Sequence, residues 1–108
     1  RMAPQPIVFS LANPVPEIKP EDAKAAGAAV VATGRSDYPN QINNALVFPG
    51  LFRGALDYAV RDITPEMQLA AAKRIAGLIK KPTAREIIPG VMADGLVRKV
   101  ALAVKPRR

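Results

Sequence analysis

Side-chain amides follow two short apolar runs in the first half of the chain. Residues 7–12 are apolar apart from one serine and are followed at once by Asn13. Residues 28–33 form the second run and lead into a polar stretch that contains Ser36, Asp37, Asn40, Gln41, Asn43 and Asn44. An amide donates through its NH₂ group and accepts through its carbonyl oxygen. Such a set suits a small molecule that carries carboxylates and a hydroxyl, or a nicotinamide carboxamide.

The same residue types also have ordinary structural roles. An asparagine before proline commonly ends a strand or forms a turn, which is the alternative for Asn13. Asn43 and Asn44 stand where a helix could begin, and asparagine is a good helix cap. Arg35 and Asp37 are spaced for a loop ion pair worth under about 1 kcal/mol. From the residue types alone, binding and structural roles both stay open.

Two strands and a crossover helix are predicted to position the amides. Residues 7–12 and 28–33 are short, branched and nearly unbroken, which is typical of parallel strands buried on both faces. Pro20 predicts a helix over residues 21–26, which Gly27 should stop. Ligands of open parallel sheets bind beyond the carboxyl ends of the strands. The amides should therefore meet at one edge of the sheet.

Helices are predicted for the remainder of the chain. Residues 42–60 indicate a helix with a break at Pro49, and Gly50 and Gly54 indicate close helix packing. Thr64 should cap a helix over residues 65–80, and a last helix is predicted over residues 95–104. We expect these residues to face inward: Leu46, Val47, Leu51, Phe52, Ala55, Leu56, Ala59, Leu96, Val97, Val100, Ala101 and Val104.

Composition narrows the classes of function. The chain has no Cys and no His, which excludes a cysteine-based metal or disulfide scaffold and removes the commonest general base. No run of 18 apolar residues indicates a membrane span. The net charge of +7 allows nucleic-acid binding, but no aromatic residues alternate with the basic ones, so a solvated basic surface is the preferred interpretation. The late basic residues are Lys73, Arg74, Lys80, Lys81, Arg98, Lys99, Lys105, Arg107 and Arg108.

Two segments carry a resemblance to a known family. They are SLANPVPEI at residues 10–18 and ATGRSDYPNQINNALVFPGLFRGALD at residues 32–57. Together they resemble the prokaryotic malic enzymes, which oxidise and decarboxylate malate to pyruvate with NAD or NADP. The resemblance is strongest over residues 6–57 and looser beyond. It identifies the chain as the C-terminal portion of the family's NAD(P)-binding domain, with a substrate- and cofactor-facing core over residues 5–60 and C-terminal helices over 61–108.

The resemblance implies roles for three asparagines. In the family, the matching residues face malate and the nicotinamide end of the cofactor. Carried over, Asn13, Asn43 and Asn44 bind substrate, and Asn13 and Asn43 also contact the cofactor. The implied partners are malate, NAD or NADP, the remainder of the malic enzyme chain and, in the full enzyme, further copies in a homo-oligomer. A membrane or nucleic acid is not expected, and the location is expected to be cytoplasmic.

The resemblance also implies that the chain lacks part of the machinery. In the family, the catalytic lysine and tyrosine, the carboxylates that bind Mg²⁺ or Mn²⁺ and the glycine-rich turn lie upstream of this region. No GxGxxG is present here, and no catalytic or metal residue is predicted. We therefore expect the distal part of a Rossmann-like, doubly wound parallel sheet with C-terminal helices, incomplete as a domain and inactive alone. A non-catalytic oligomerisation or regulatory module derived from that domain is the alternative.

Overall fold

The computed structural model describes residues 2–106. Among these residues it contains two strands and four α-helices, with a 3₁₀ turn at Asn44–Leu46. Their order along the chain is β1 (Ile7–Ser10), α1 (Pro20–Ala25), β2 (Val30–Thr33), α2 (Phe48–Asp57), α3 (Pro65–Ala76) and α4 (Leu96–Ala103). The fold is part of a Rossmann-like α/β domain, as the sequence predicts.

Contacts divide the described chain into two units that interleave along the sequence. The first unit contains the residues up to Asn43 together with Lys81–Ile88. The second contains Asn44–Lys80 together with the residues from Pro89 onward. The sequence predicts a different division, into a core over residues 5–60 and helices over residues 61–108. That division stays a prediction. Arg107 and Arg108, which belong to the predicted basic surface, lie outside the described residues, whereas the other basic residues of that set are exposed.

The first unit is a parallel βαβ arrangement. β1 pairs with β2 in a register that places Ile7 opposite Val30 and Ser10 opposite Thr33. Helix α1 connects the strands and packs on β2, and its residue Ala23 is buried. Each strand is two residues shorter than its predicted run, because the pairing covers only four residues of each. β1 ends two residues early, and β2 begins two residues late. The carboxyl ends of the two strands therefore meet at one edge, as predicted.

The prediction that β1 is buried on both faces is wrong for the described chain. Ile7 is 60% exposed and Phe9 is 53% exposed, whereas Ser10 is buried. Alternate residues of a strand point to opposite faces of a sheet. No described element of the first unit covers the face that carries Ile7 and Phe9. An unbroken apolar run indicates that a strand can be buried on both faces. Each face is buried only where another element of the structure packs against it.

The second unit is a group of three helices. Helix α4 packs against both α2 and α3. Leu96 and Val100 of α4, and Val104 directly after it, are at most 2% exposed. The prediction that Gly50 and Gly54 permit close packing is confirmed, since a Cβ atom on either would lie within 3 Å of atoms of α4. Val97 was expected to face inward but is 43% exposed.

The structure of α2 and α3 corrects three predictions. Pro49 does not break a helix; it lies in the first turn of α2, where its missing N–H has no intrahelical partner to lose. Phe52 and Leu56 were expected to face inward but are 64% and 77% exposed, because α4 packs on the side of α2 that carries the glycines. Helix α3 ends at Ala76 rather than at residue 80. Its predicted cap is confirmed, since Thr64 accepts a hydrogen bond from the Met67 N–H at 3.2 Å.

No helix among residues 2–106 has the length and apolar character that a membrane span requires.

Candidate functional site

Asn13 lies where the carboxyl ends of the two strands meet. It follows β1 by three residues and is exposed. Its side-chain amide packs over Gly34, the first residue after β2. The position that a Cβ atom on Gly34 would occupy is 3.1 Å from Asn13 Oδ1 and 3.4 Å from Asn13 Nδ2. The absence of a side chain at Gly34 thus lets the amide of Asn13 approach the backbone at the end of β2.

A second amide lies beside the same strand end. The chain returns along β2 after the polar loop, forming a parallel bridge between Thr33 and Gln41. The N–H of Ile42 donates to the Thr33 carbonyl at 2.7 Å, and Gln41 Nε2 donates to the Gly34 carbonyl at 3.3 Å. Gln41 and Asn13 therefore approach Gly34 from two segments. The predicted convergence of amides at one edge is seen for this pair.

Asn43 and Asn44 are both exposed. Asn44 begins the 3₁₀ turn, and its backbone carbonyl accepts a hydrogen bond from the Val47 N–H at 3.0 Å. The N-cap of α2 is Val47, and no side chain caps that helix. Neither asparagine therefore caps α2, and a capping role at the 3₁₀ turn stays a prediction. Asn43 belongs to the first unit and Asn44 to the second, so their gathering around one ligand with Asn13 stays a prediction.

Asn40 has a structural role. Its side chain is buried and donates to the carbonyl of Val31 at 3.1 Å and to that of Ala84 at 2.9 Å. It also accepts a hydrogen bond from the Ile87 N–H at 2.8 Å. These bonds tie the loop after β2 to the segment Lys81–Ile88 within the first unit. The amide of Asn40 is therefore occupied by backbone partners, unlike the ligand-facing amide that its place after β2 predicts.

The loop that carries Asn13 is closed at its base by Ser10 and Glu17. The buried hydroxyl of Ser10 accepts from the Ile18 N–H and donates to the Ile18 carbonyl, both at 3.0 Å. One carboxylate oxygen of Glu17 accepts from the Ala12 N–H at 2.9 Å. That backbone hydrogen bond is the main reason why the pKa of Glu17 is lowered. The residue before Asn13 is thus fixed by a charge-assisted hydrogen bond.

Arg35 and Asp37 form a bidentate ion pair, as their spacing predicts. Arg35 Nε and Nη2 each lie 2.8 Å from a carboxylate oxygen of Asp37. The hydrogen bonds to Arg35 lower the pKa of Asp37, and the same bonds raise the pKa of Arg35. Arg35 also donates through Nη1 to the Pro14 carbonyl at 2.8 Å. Sequence reasoning missed this contact, because nothing in the spacing of residues 14 and 35 indicates it.

The described residues suit only part of the chemistry that the resemblance implies. They contain no group of three or more His, Cys, Asp or Glu side chains that could hold a metal ion. The exposed amide of Asn13 makes no hydrogen bond to the described chain, so its NH₂ and carbonyl groups are available to a ligand. Those groups match a carboxylate, a hydroxyl or a carboxamide. This edge of the sheet therefore offers polar groups that can orient a small polar ligand.

Comparison with known proteins shows the family of this chain. The model of the "Malic enzyme, NAD binding domain" matches residues 1–106. The chain belongs to the malic enzyme family. It is 52% identical over 105 residues to the bifunctional malic/malolactic enzyme of Bacillus subtilis, which covers 95% of this chain and 26% of that protein. It is 56% identical over 106 residues to the NAD-dependent malic enzyme of Geobacillus stearothermophilus, covering 96% of this chain and 22% of that protein.

A solved malic enzyme has the same fold over this segment. The crystal structure of the malic enzyme from Pyrococcus horikoshii matches with a TM-score of 0.91 and 58% identity, over 95% of this chain and 24% of that one. This malic enzyme segment thus spans about a quarter of the length of the relatives that it matches. The relatives include NAD-dependent and NADP-dependent malic enzymes.

Proposed function

We propose that this segment supplies the malate and nicotinamide contacts of a malic enzyme. In that enzyme (S)-malate is oxidised and decarboxylated to pyruvate and CO₂ while NAD or NADP is reduced. The observation that carries the proposal is the exposed amide of Asn13, which lies over Gly34 at the carboxyl end of β2 with both its donor and its acceptor available. The family match over residues 1–106 supports the choice of substrate.

In this proposal the asparagines orient the substrate. An amide NH₂ group of Asn13, Asn43 or Asn44 donates to a malate carboxylate, and an amide carbonyl accepts from the malate hydroxyl. The cofactor, when bound, would supply the acceptor for the hydride that leaves malate C2. Holding that carbon at a fixed distance and angle from the nicotinamide ring is catalysis by positioning, which removes an entropic part of the barrier. Asn13 and Asn43 are also proposed to contact the nicotinamide end of the cofactor.

The metal and the proton-transfer groups are proposed to come from outside this segment. The described residues contain no group of three or more His, Cys, Asp or Glu side chains that could hold Mg²⁺ or Mn²⁺. Tyr38, Tyr58, Lys19 and Lys24 do not match the family's catalytic motifs. We expect the 108-residue chain alone to show no malate-dependent reduction of NAD or NADP. Measurable turnover by the isolated chain would contradict this part of the proposal.

The role of the asparagines is tested in a full-length malic enzyme that contains this segment. Asn13→Ala or Asn43→Ala should lower kcat/KM for malate. The decrease should correspond to a loss of about 1–3 kcal/mol of transition-state stabilisation, the usual cost of removing a hydrogen bond to a charged or polar group. Gln68→Ala is a matched control, because it removes an exposed amide from α3 in the second unit. Kinetics unchanged by both asparagine variants would return these residues to structural roles.

An association module is the second candidate, and it has an observation of its own. Phe48 and Phe52 stack on α2 with ring centroids 5.7 Å apart, and Phe52 and Leu56 are largely exposed. Exposed contiguous apolar side chains commonly mark interaction surfaces. Sedimentation of the chain at several concentrations tests this candidate: a defined oligomer that Phe52→Ser converts to monomer would support it, and a monomer throughout would exclude it.

A further inference from the structure

Arg35 connects two segments that meet at the candidate site. Its guanidinium group forms a fork with Asp37, and the remaining terminal nitrogen reaches the carbonyl of Pro14, 21 residues earlier in the chain. Its backbone N–H is fixed as well, since it donates to Thr33 Oγ1 at 3.2 Å. Arg35 therefore attaches the turn that follows β1 to the end of β2.

The residues on both sides of Asn13 are held by ionised groups. Ala12, which precedes it, donates its N–H to the Glu17 carboxylate at 2.9 Å. Pro14, which follows it, accepts from the Arg35 guanidinium at 2.8 Å. Hydrogen bonds with one ionised partner are roughly twice as strong as neutral ones. Ionised side chains thus bond to the backbone on both sides of Asn13, whereas its own side chain makes no hydrogen bond to the described residues.

Asp37 determines where the guanidinium points. A planar guanidinium that binds one carboxylate through two nitrogens keeps a fixed orientation, which a lysine ammonium group cannot reproduce. With Nε and Nη2 engaged by Asp37, Nη1 is directed at Pro14. Gly34 completes the arrangement, because a Cβ atom there would come within 3.1 Å of the Asn13 amide.

We propose that Arg35, oriented by Asp37, is a positioning residue that holds the Asn13 amide in its substrate-binding conformation. The inference rests on the proposed function, since it gives Asn13 a ligand to bind. Arg35 itself touches no substrate in this arrangement and acts through the Pro14 carbonyl. Removing the Arg35 side chain should therefore lower kcat/KM for malate only in an enzyme that still has the Asn13 amide.

A double-mutant cycle in the full-length malic enzyme tests this dependence. Arg35→Ala should lower kcat/KM for malate roughly five- to twentyfold in the presence of Asn13, within the range that interacting neighbours show. In an Asn13→Ala background the same change should have an effect of less than about twofold. Arg35→Lys should restore only part of the loss, because one ammonium group cannot bind Asp37 in a fork and reach Pro14 together.

Arg53→Ala is the matched control. Arg53 pairs with Asp57 on α2 as Arg35 pairs with Asp37, and it is similarly exposed, but its hydrogen bonds stay within the helix. It should leave the malate kinetics unchanged while removing the same charge. If Arg35→Ala enzyme is insoluble, Asp37→Asn replaces it in the cycle, with a smaller loss expected in the same direction.

The outcomes separate the inference from the proposed function. A loss with Arg35→Ala that disappears in the Asn13→Ala background supports both. An equal loss in both backgrounds overturns the positioning role and leaves the role of Asn13 intact. If Asn13→Ala alone changes nothing, the substrate role of Asn13 fails, and the inference that depends on it is overturned too.

Discussion

Replacing Gly54 by alanine tests the closest approach of two helices in the second unit. Gly54 lies in α2 and faces α4. A Cβ atom at this position would lie 2.2 Å from Val104 Cγ2, 2.5 Å from the Ala101 carbonyl oxygen and 2.9 Å from Ala101 Cα. Two of these three atoms are main chain, so rotating a side chain cannot remove the overlap. Helix α4 would have to move away from α2.

Two effects of opposite sign determine the result. Alanine is favoured over glycine in a helix interior by about 1 kcal/mol, which would stabilise the variant. Overpacking a well-packed interior costs about 1–3 kcal/mol, and contacts with main chain place Gly54 toward the upper end of that range. The net expectation is a loss of about 1–2 kcal/mol. For a domain of this size, that lowers Tm by roughly 4–16 °C.

Thermal unfolding followed by far-ultraviolet circular dichroism measures the change, since the chain has no Trp. Gly90→Ala is the control: a Cβ atom there would meet no atom within 4 Å, so its Tm should change little. If Gly54→Ala instead raises Tm, helix propensity has prevailed and the close approach of α2 and α4 is refuted.

Three further predictions concern stability. Asn40→Gly should lower the free energy of unfolding in denaturant by at least about 2 kcal/mol, because one buried and two partly buried hydrogen bonds are lost. Asn40→Ala should cost about 1 kcal/mol more, because the backbone φ of 59° is unfavourable for alanine, and equal losses would argue against this conformation. Thr64→Ala should lower the free energy of unfolding by about 1 kcal/mol, whereas Thr64→Ser should change it little, because serine can also cap the helix. Equal stability of the two variants would exclude the cap. The lowered pKa of Glu17 means that its stabilising contribution is present above the ordinary value of 4.5 and is lost as the pH falls below that value through the folded-state pKa. The stability difference between the chain and Glu17→Gln should therefore shrink in acid, and a pH-independent difference would contradict the hydrogen bond to Ala12.

Local signals predicted the elements well, because their causes lie within a few residues. Thr64 begins α3 as predicted, since a cap needs only the N–H groups of the next turn. The two apolar runs became β1 and β2, and the spacing of Gly50 and Gly54 indicated close helix packing. The residues that carry the family resemblance were also readable from the sequence, and the family match confirms it.

The tertiary structure decided which side chains point where. Asn40 is buried because carbonyl and N–H partners as far as 47 residues along the chain meet it, and no local pattern distinguishes it from the exposed Asn43. Arg35 reaches Pro14 only because β1 and β2 pair and bring their ends together. Helical spacing predicted that Leu51 and Phe52 both face inward, but the position of α4 selected the glycine-bearing side of α2 for burial and left Phe52 exposed. Such choices depend on which segments are in contact, and contact between distant segments is a property of the folded chain.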